Sequence, residues 1–184
     1  MTVRKCAQFA ICLTLIGLPP RMEAGGADPE EELKAAIVMS FLQYTEWSSL
    51  PPGNAPLTLG VWGGTTFAQV LQRSLESKPV NGRSVRVVQI RPGDKPTWQI
   101  AYVVADRRAE IKAGLLAVSA PGVLTIGESE GFLESGGTVN LLAIDGRMSF
   151  EFSMEALQQS GVNISSRLLR FGQMRRVKGS APGL

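Results

Sequence analysis

Hydrophobic and polar positions along the chain fall into segments of helical and strand period. Leu33, Ile37, Phe41 and Tyr44 recur at helical spacing, so the pattern predicts a helix from Pro29 to near Trp47. Asp28 is placed to cap it, Pro29 fits its first turn, and Glu30, Glu31 and Glu32 complement the positive end of the helix dipole. Leu57–Trp62 reads as a short apolar strand, and Gly63-Gly64 turns it into a helix with apolar positions at Phe67, Val70, Leu71 and Leu75. Asn81-Gly82 is a turn signal, and Ser84–Ile90 alternates as a strand. Ile100–Ala105 is almost wholly apolar, which fits a strand buried on both faces. Asp106 then caps a helix carrying Ile111, Leu115 and Leu116. Val123–Ile126 is a further buried strand, followed by a short acidic helix over Glu128–Glu134 that stops at Gly136-Gly137. Val139–Ile144 and Met148–Phe152, parted by Asp145-Gly146-Arg147, predict an antiparallel hairpin. Ser153 or Met154 opens a helix that Gly161 ends, and Ser165–Met174 reads as a final amphipathic helix.

Strands alternating with helices over the first two thirds imply right-handed crossovers and a mainly parallel sheet, which the terminal hairpin makes mixed. The expected architecture is a three-layer α/β sandwich on about six strands, with the hairpin and helices at its C-terminal end.

The N-terminus lies outside this scheme. Arg4 and Lys5 are followed by an apolar-biased run from Cys6 to Leu18 and small residues from Ala24 to Ala27, the order of parts in a secretion signal. The run falls short of the about 20 residues needed to span a bilayer. Residues 1–27 are therefore expected to be a signal peptide, 28–178 an α/β domain and 179–184 a disordered tail.

Export sharpens the composition. The chain has no His and two Cys, Cys6 and Cys12, both inside the expected signal. The mature protein then lacks a Cys nucleophile, a Ser-His-Asp triad, an imidazole base and a Cys/His metal site, and no metal or cofactor is expected. The formal net charge of +3 belongs largely to the signal; from Asp28 onward there are 16 basic and 15 acidic residues. What remains is uneven. No acid follows Glu155, whereas Arg167, Arg170, Arg175, Arg176 and Lys178 do. Such a cluster either binds phosphates or an acidic partner, or is a solvated helix face and tail. Without aromatic interleaving it does not read as a nucleic-acid surface.

Three further features carry chemistry on paper. Gly60, Gly63 and Gly64 follow a strand and open a helix, yet match neither G-x-G-x-x-G nor a Walker loop. They serve a tight strand-to-helix turn, or else a ligand pocket at Trp62, Gly63, Gly64 and Thr65, where open α/β sheets bind their ligands. The carboxylates Glu128, Glu130 and Glu134, and Glu151 with Glu155, have no spacing that demands acid/base work. Trp47 either packs under the sheet or builds a partner surface, and Leu168, Leu169 and Phe171 with Arg167 and Arg170 make the mixture of apolar and Arg residues that suits an interface. Ser165 or Ser166 caps the last helix.

Four segments resemble the YfiR/HmsC-like family. They are Leu33-Lys34-Ala35-Ala36 through Phe41 to Thr45-Glu46-Trp47, then Leu57–Trp62 with Gly63, Phe67 and Val80-Asn81-Gly82-Arg83. Val123–Glu128 through Gly131-Phe132 and Gly136-Gly137 to Asn140-Leu141 is the third; Phe150-Glu151-Phe152 with Gly161–Leu169 is the fourth. The resemblance implies an exported, non-enzymatic regulator with a Rossmann-like fold that tends to dimerise. It also implies binding to the periplasmic part of an inner-membrane diguanylate cyclase, repression of cyclic di-GMP output and biofilm formation, and relief by an outer-membrane lipoprotein. Arg167, Leu168, Arg170 and Phe171 are the expected partner-binding residues, with Trp47 and Phe132 in support. A small-ligand binding module at Trp62–Thr65 is the alternative. The chain departs from disulfide-bearing relatives at Gln99-Ile100-Ala101-Tyr102, where many carry a Cys before the buried strand, so redox control is not expected. A thermal melt of the processed protein should accordingly be unchanged by reductant; a large fall in melting temperature would contradict this reading.

Overall fold

The computed structural model describes residues 28–175 apart from 48, 49, 76, 77 and 145; the expected signal, the tail and the basic residues Arg176 and Lys178 lie outside the described residues. Helix α1 (Pro29–Tyr44) starts as its sequence demands, with the Asp28 side chain accepting a hydrogen bond from the Glu30 amide and proline in the first turn. It gives way to β1 (Thr45–Glu46) and, after a loop, to β2 (Leu57–Trp62) and α2 (Thr65–Leu75). β3 (Val85–Gln89), β4 (Ile100–Val103), α3 (Arg108–Val118), β5 (Leu124–Gly127), β6 (Val139–Ile144) and β7 (Arg147–Ser153) follow. The chain ends with α4 (Met154–Ser160), β8 (Asn163–Ile164), α5 (Ser166–Leu169) and β9 (Gln173–Arg175).

The main sheet has seven strands in the order β3-β2-β4-β5-β6-β7-β9, and β1 pairs with β8 in a separate ribbon. Every pairing in the main sheet is parallel except the β6–β7 hairpin. The fold is thus the expected mixed, mainly parallel α/β sandwich, with one strand more than expected. Helices cover both faces. β4 shows why its sequence does not alternate: Ile100 and Tyr102 join the core under α1 and α2, while Ala101 and Val103 join the core under α3. A strand covered on both faces has no solvent side for polar residues.

Two expected helices are cut short. Over Glu128–Glu134 the chain forms turns, because Gly131 adopts φ +79° and Ser129, Phe132 and Leu133 close successive turns instead of a helical ladder. The last helix is one turn long. Its successor, Gln173–Arg175, extends and pairs with β7, satisfying backbone groups that β7 would otherwise leave open on that edge.

The acidic turn also closes the second core. Phe132 is fully buried and sits against the backbone of Gly127 and Gly137; a Cβ on Gly127 would lie 2.5 Å from its ring. Gly127→Ala should therefore lower stability by about 1–3 kcal/mol through overpacking, seen as a lower melting temperature that Phe132→Leu in the same chain partly restores.

Candidate interaction site

α1 is fixed at both ends. At its start Lys34, only 8% exposed, places its ammonium 2.6 Å from Glu128, 3.0 Å from Glu30 and 3.5 Å from Glu31. Burial works against the charged amine, but hydrogen bonds to Glu128 and Glu30 outweigh it and hold the ammonium above its ordinary range. The Tyr102 hydroxyl lies buried near the same acids; burial first, and Glu128 and Glu31 next, push its ionisation far up, so it stays neutral. This cluster belts α1 to the end of β5 and offers no acid/base pair.

At the other end, Thr45 and Glu46 pair with Ile164 and Asn163, the Ser165 amide donates to the Tyr44 carbonyl at 2.8 Å, and the Asn163 side-chain amide donates to Glu46 at 3.0 Å. Ser165 caps α5 through the Arg167 amide, and buried Ile164 and Leu168 anchor it in the core. α5 consequently lies along α1.

Between α1, α5 and β7 opens a groove of about 480 Å³ lined by Ile37, Ser40, Tyr44, Met148, Ser149, Phe150, Arg167, Leu168, Arg170 and Phe171. The Phe150 ring stacks edge-on against Phe41 at 5.0 Å beneath it. Tyr44 is 46% and Phe171 65% exposed, and the Arg170 guanidinium sits 4.9 Å over the Phe171 ring. Among the described residues no acidic side chain lines the groove, so its rim is cationic and its walls apolar. Residues of this mixture are those that anchor protein interfaces.

Four expected partner residues, Arg167, Leu168, Arg170 and Phe171, meet here, although Leu168 is buried and acts as an anchor for α5. Trp47 is half-buried against the main core and does not line the groove. Phe132 is a correction: it is interior, its ring filling the space that Gly127 and Gly137 leave, and it presents nothing to a partner. Sequence periodicity missed Ile37, Ser40 and Met148, which become neighbours of α5 only through the ribbon; the one visible signal was Tyr44, an aromatic at the end of an apolar stripe.

The strand-end pocket at Trp62–Thr65 is also corrected. Gly63 adopts φ +82° and, with Gly64, presses against the backbone and side chain of Val104, whose amide donates to the Trp62 carbonyl at 2.8 Å. Trp62 packs on Gly114 of α3, and the Gln89 side chain donates to the Gly63 and Val61 carbonyls at 2.7 and 3.0 Å. The glycines permit a tight, filled turn. Thr65 lines an open depression, of about 540 Å³, with Val87 and Gln89.

A family model described as YfiR/HmsC-like matches residues 31–173, from the first turn of α1 to the first residue of β9. The chain belongs to the YfiR/HmsC-like family. Members are periplasmic regulators of diguanylate cyclases, regulatory rather than catalytic proteins. No individually curated protein matches the chain. Among the described residues no helix is long and apolar enough to cross a membrane, and no group of three or more His, Cys, Asp or Glu side chains could hold a metal ion. The segments by which the chain resembles the family acquire physical roles: Lys34 belts α1, and Arg83 of the Asn81-Gly82-Arg83 turn donates to the Pro51 and Ala55 carbonyls at 3.0 Å each.

Lys34→Met leaves Glu30, Glu31 and Glu128 facing one another, and should cost about 1.5–3 kcal/mol. Because the Lys34 ammonium is held above its ordinary range in the folded protein, its contribution is complete below the unfolded lysine value and is lost only at strongly alkaline pH. The gap in melting temperature between wild type and variant should therefore be flat from about pH 6 to 9 and close only in strong alkali.

Proposed function

We propose that this protein represses a diguanylate cyclase by gripping the cyclase's periplasmic part in the α1–α5–β7 groove. The groove supports this reading: it is an apolar trough with Arg167 and Arg170 on its rim and Phe171 projecting from it, which suits an amphipathic segment bearing acidic side chains. The regulator must favour the inactive state of the cyclase, since equal affinity for both states would shift nothing. In this reading export through residues 1–27 brings the protein to the periplasm, an outer-membrane lipoprotein competes for it and relieves repression, and a second copy of the chain is a further partner. Lowered cyclic di-GMP and reduced biofilm are the output.

Arg167→Glu with Arg170→Glu reverses the rim charge on exposed side chains and should leave the melting temperature within the effect of about 0.5 kcal/mol typical of surface changes. Capture from solubilised membranes should recover a cyclase with the wild type and not with the double variant, and cyclic di-GMP in cells carrying the variant should rise to the level of a deletion. Undiminished recovery by the variant, or unchanged cyclic di-GMP on deletion, would sink the proposal.

A further inference from the structure

Successive residues of a strand point to opposite faces of its sheet. Phe150 floors the groove, and its neighbour Glu151 accordingly reaches the other side, where a crevice of about 630 Å³ opens beyond the carboxyl ends of β4 and β5. Asp106 and Arg108 enter it from the start of α3, Glu130 and Glu134 from the turns after β5, Asn140 from β6 and Arg175 from β9.

Its polar groups are built in. Glu151, 6% exposed, is gripped by the Arg175 guanidinium at 3.2 and 3.1 Å through its two oxygens, and Glu134 stands 3.8 Å from the same guanidinium. Asn140 is 2% exposed and donates its Nδ2 to Glu151 at 3.3 Å. That contact fixes the amide, because the opposite orientation would set Oδ1 against a carboxylate. Among the described residues Asn140 Oδ1 is then left without a hydrogen-bond partner. A buried acceptor left unpaired is destabilising, and a ligand N–H would satisfy it.

Charge settles the kind of donor. Among the described residues four carboxylates, Asp106, Glu130, Glu134 and Glu151, line the crevice against two guanidiniums, Arg108 and Arg175, an excess of two negative charges. Among the described residues the acids are not placed to hold a metal ion, so the complementary guest is an organic cation rich in N–H. The volume falls within the about 300–1,000 Å³ of small-molecule sites. We infer that this crevice binds a small aliphatic di- or polyamine, with Asn140 Oδ1 accepting from one ammonium and Glu130 and Glu134 balancing the charge. The inference is independent of the cyclase reading, since the groove and the crevice lie on opposite faces of β7.

Calorimetric titration of the full chain with putrescine and spermidine tests it, with glutarate and calcium chloride as comparison probes. Saturable one-to-one amine binding is expected, weakened about tenfold by Glu130→Gln and by Glu134→Gln, and unaltered by Glu32→Gln on the exposed side of α1. Asn140→Ala should also weaken it; if that variant does not melt cooperatively, the two glutamate variants decide. Absence of amine binding, wild-type affinity retained in both glutamate variants, or glutarate or calcium bound in place of the amines would each overturn the assignment.

Discussion

Two backbone pairs hold the walls of the candidate groove together. Thr45–Ile164 and Glu46–Asn163 form a ribbon too short to stand alone, yet it joins the end of the first helix to the beginning of the last. It persists because Val162, Ile164 and Leu168 are buried in the main core on one side of it and Phe41 and Leu42 on the other. The loop-closure cost of joining distant residues grows only slowly with length, and the intervening sheet has already brought the two segments near. Without the ribbon, α5 would have no reason to lie on α1, and Arg167, Arg170 and Phe171 would project from an unanchored tail.

The sheet's carboxyl edge, where an α/β protein usually carries out its chemistry, is occupied differently here. Val104 fills the turn after β2. Lys34 takes up Glu128, and Arg175 takes up Glu151 and Glu134. Acids whose spacing demanded no acid/base work are thus paired with cations from remote parts of the chain, which agrees with a regulatory family. Phe150 and Glu151 illustrate the economy of a strand: one residue floors the groove on one face, the next lines the crevice on the other.

The segments that carry the family resemblance are chiefly devices of packing. Phe132 between Gly127 and Gly137, Arg83 over the Pro51–Ala55 loop, Lys34 among three glutamates and the Gly161–Leu169 run that feeds the ribbon all build the scaffold. A residue that stands out in a motif is therefore as apt to be interior as to be functional, and Phe132 is the case in point.

Local patterns were enough for α1, α2, α3, α4 and the strands of the main sheet up to β7, because each has a period, a cap or a turn residue that acts within a few positions. Asp28, Ser153 and Ser165 cap the helices their sequences assign to them. The exposed part of the groove was likewise legible, since Arg167, Arg170 and Phe171 lie within five residues of one another. The end of the last helix was not: Gln173–Arg175 is a strand only because β7 offers it an open edge and Glu151 awaits Arg175. Nor could the sequence distinguish a filled turn at Gly63 from a pocket, or a buried Phe132 from an exposed one, or bring Asn140 to the crevice. By itself it determined the class of fold, the family and the absence of imidazole chemistry. Tertiary structure decided which side chains face solvent and which acids find cations, because burial and charge pairing depend on residues far apart in the chain.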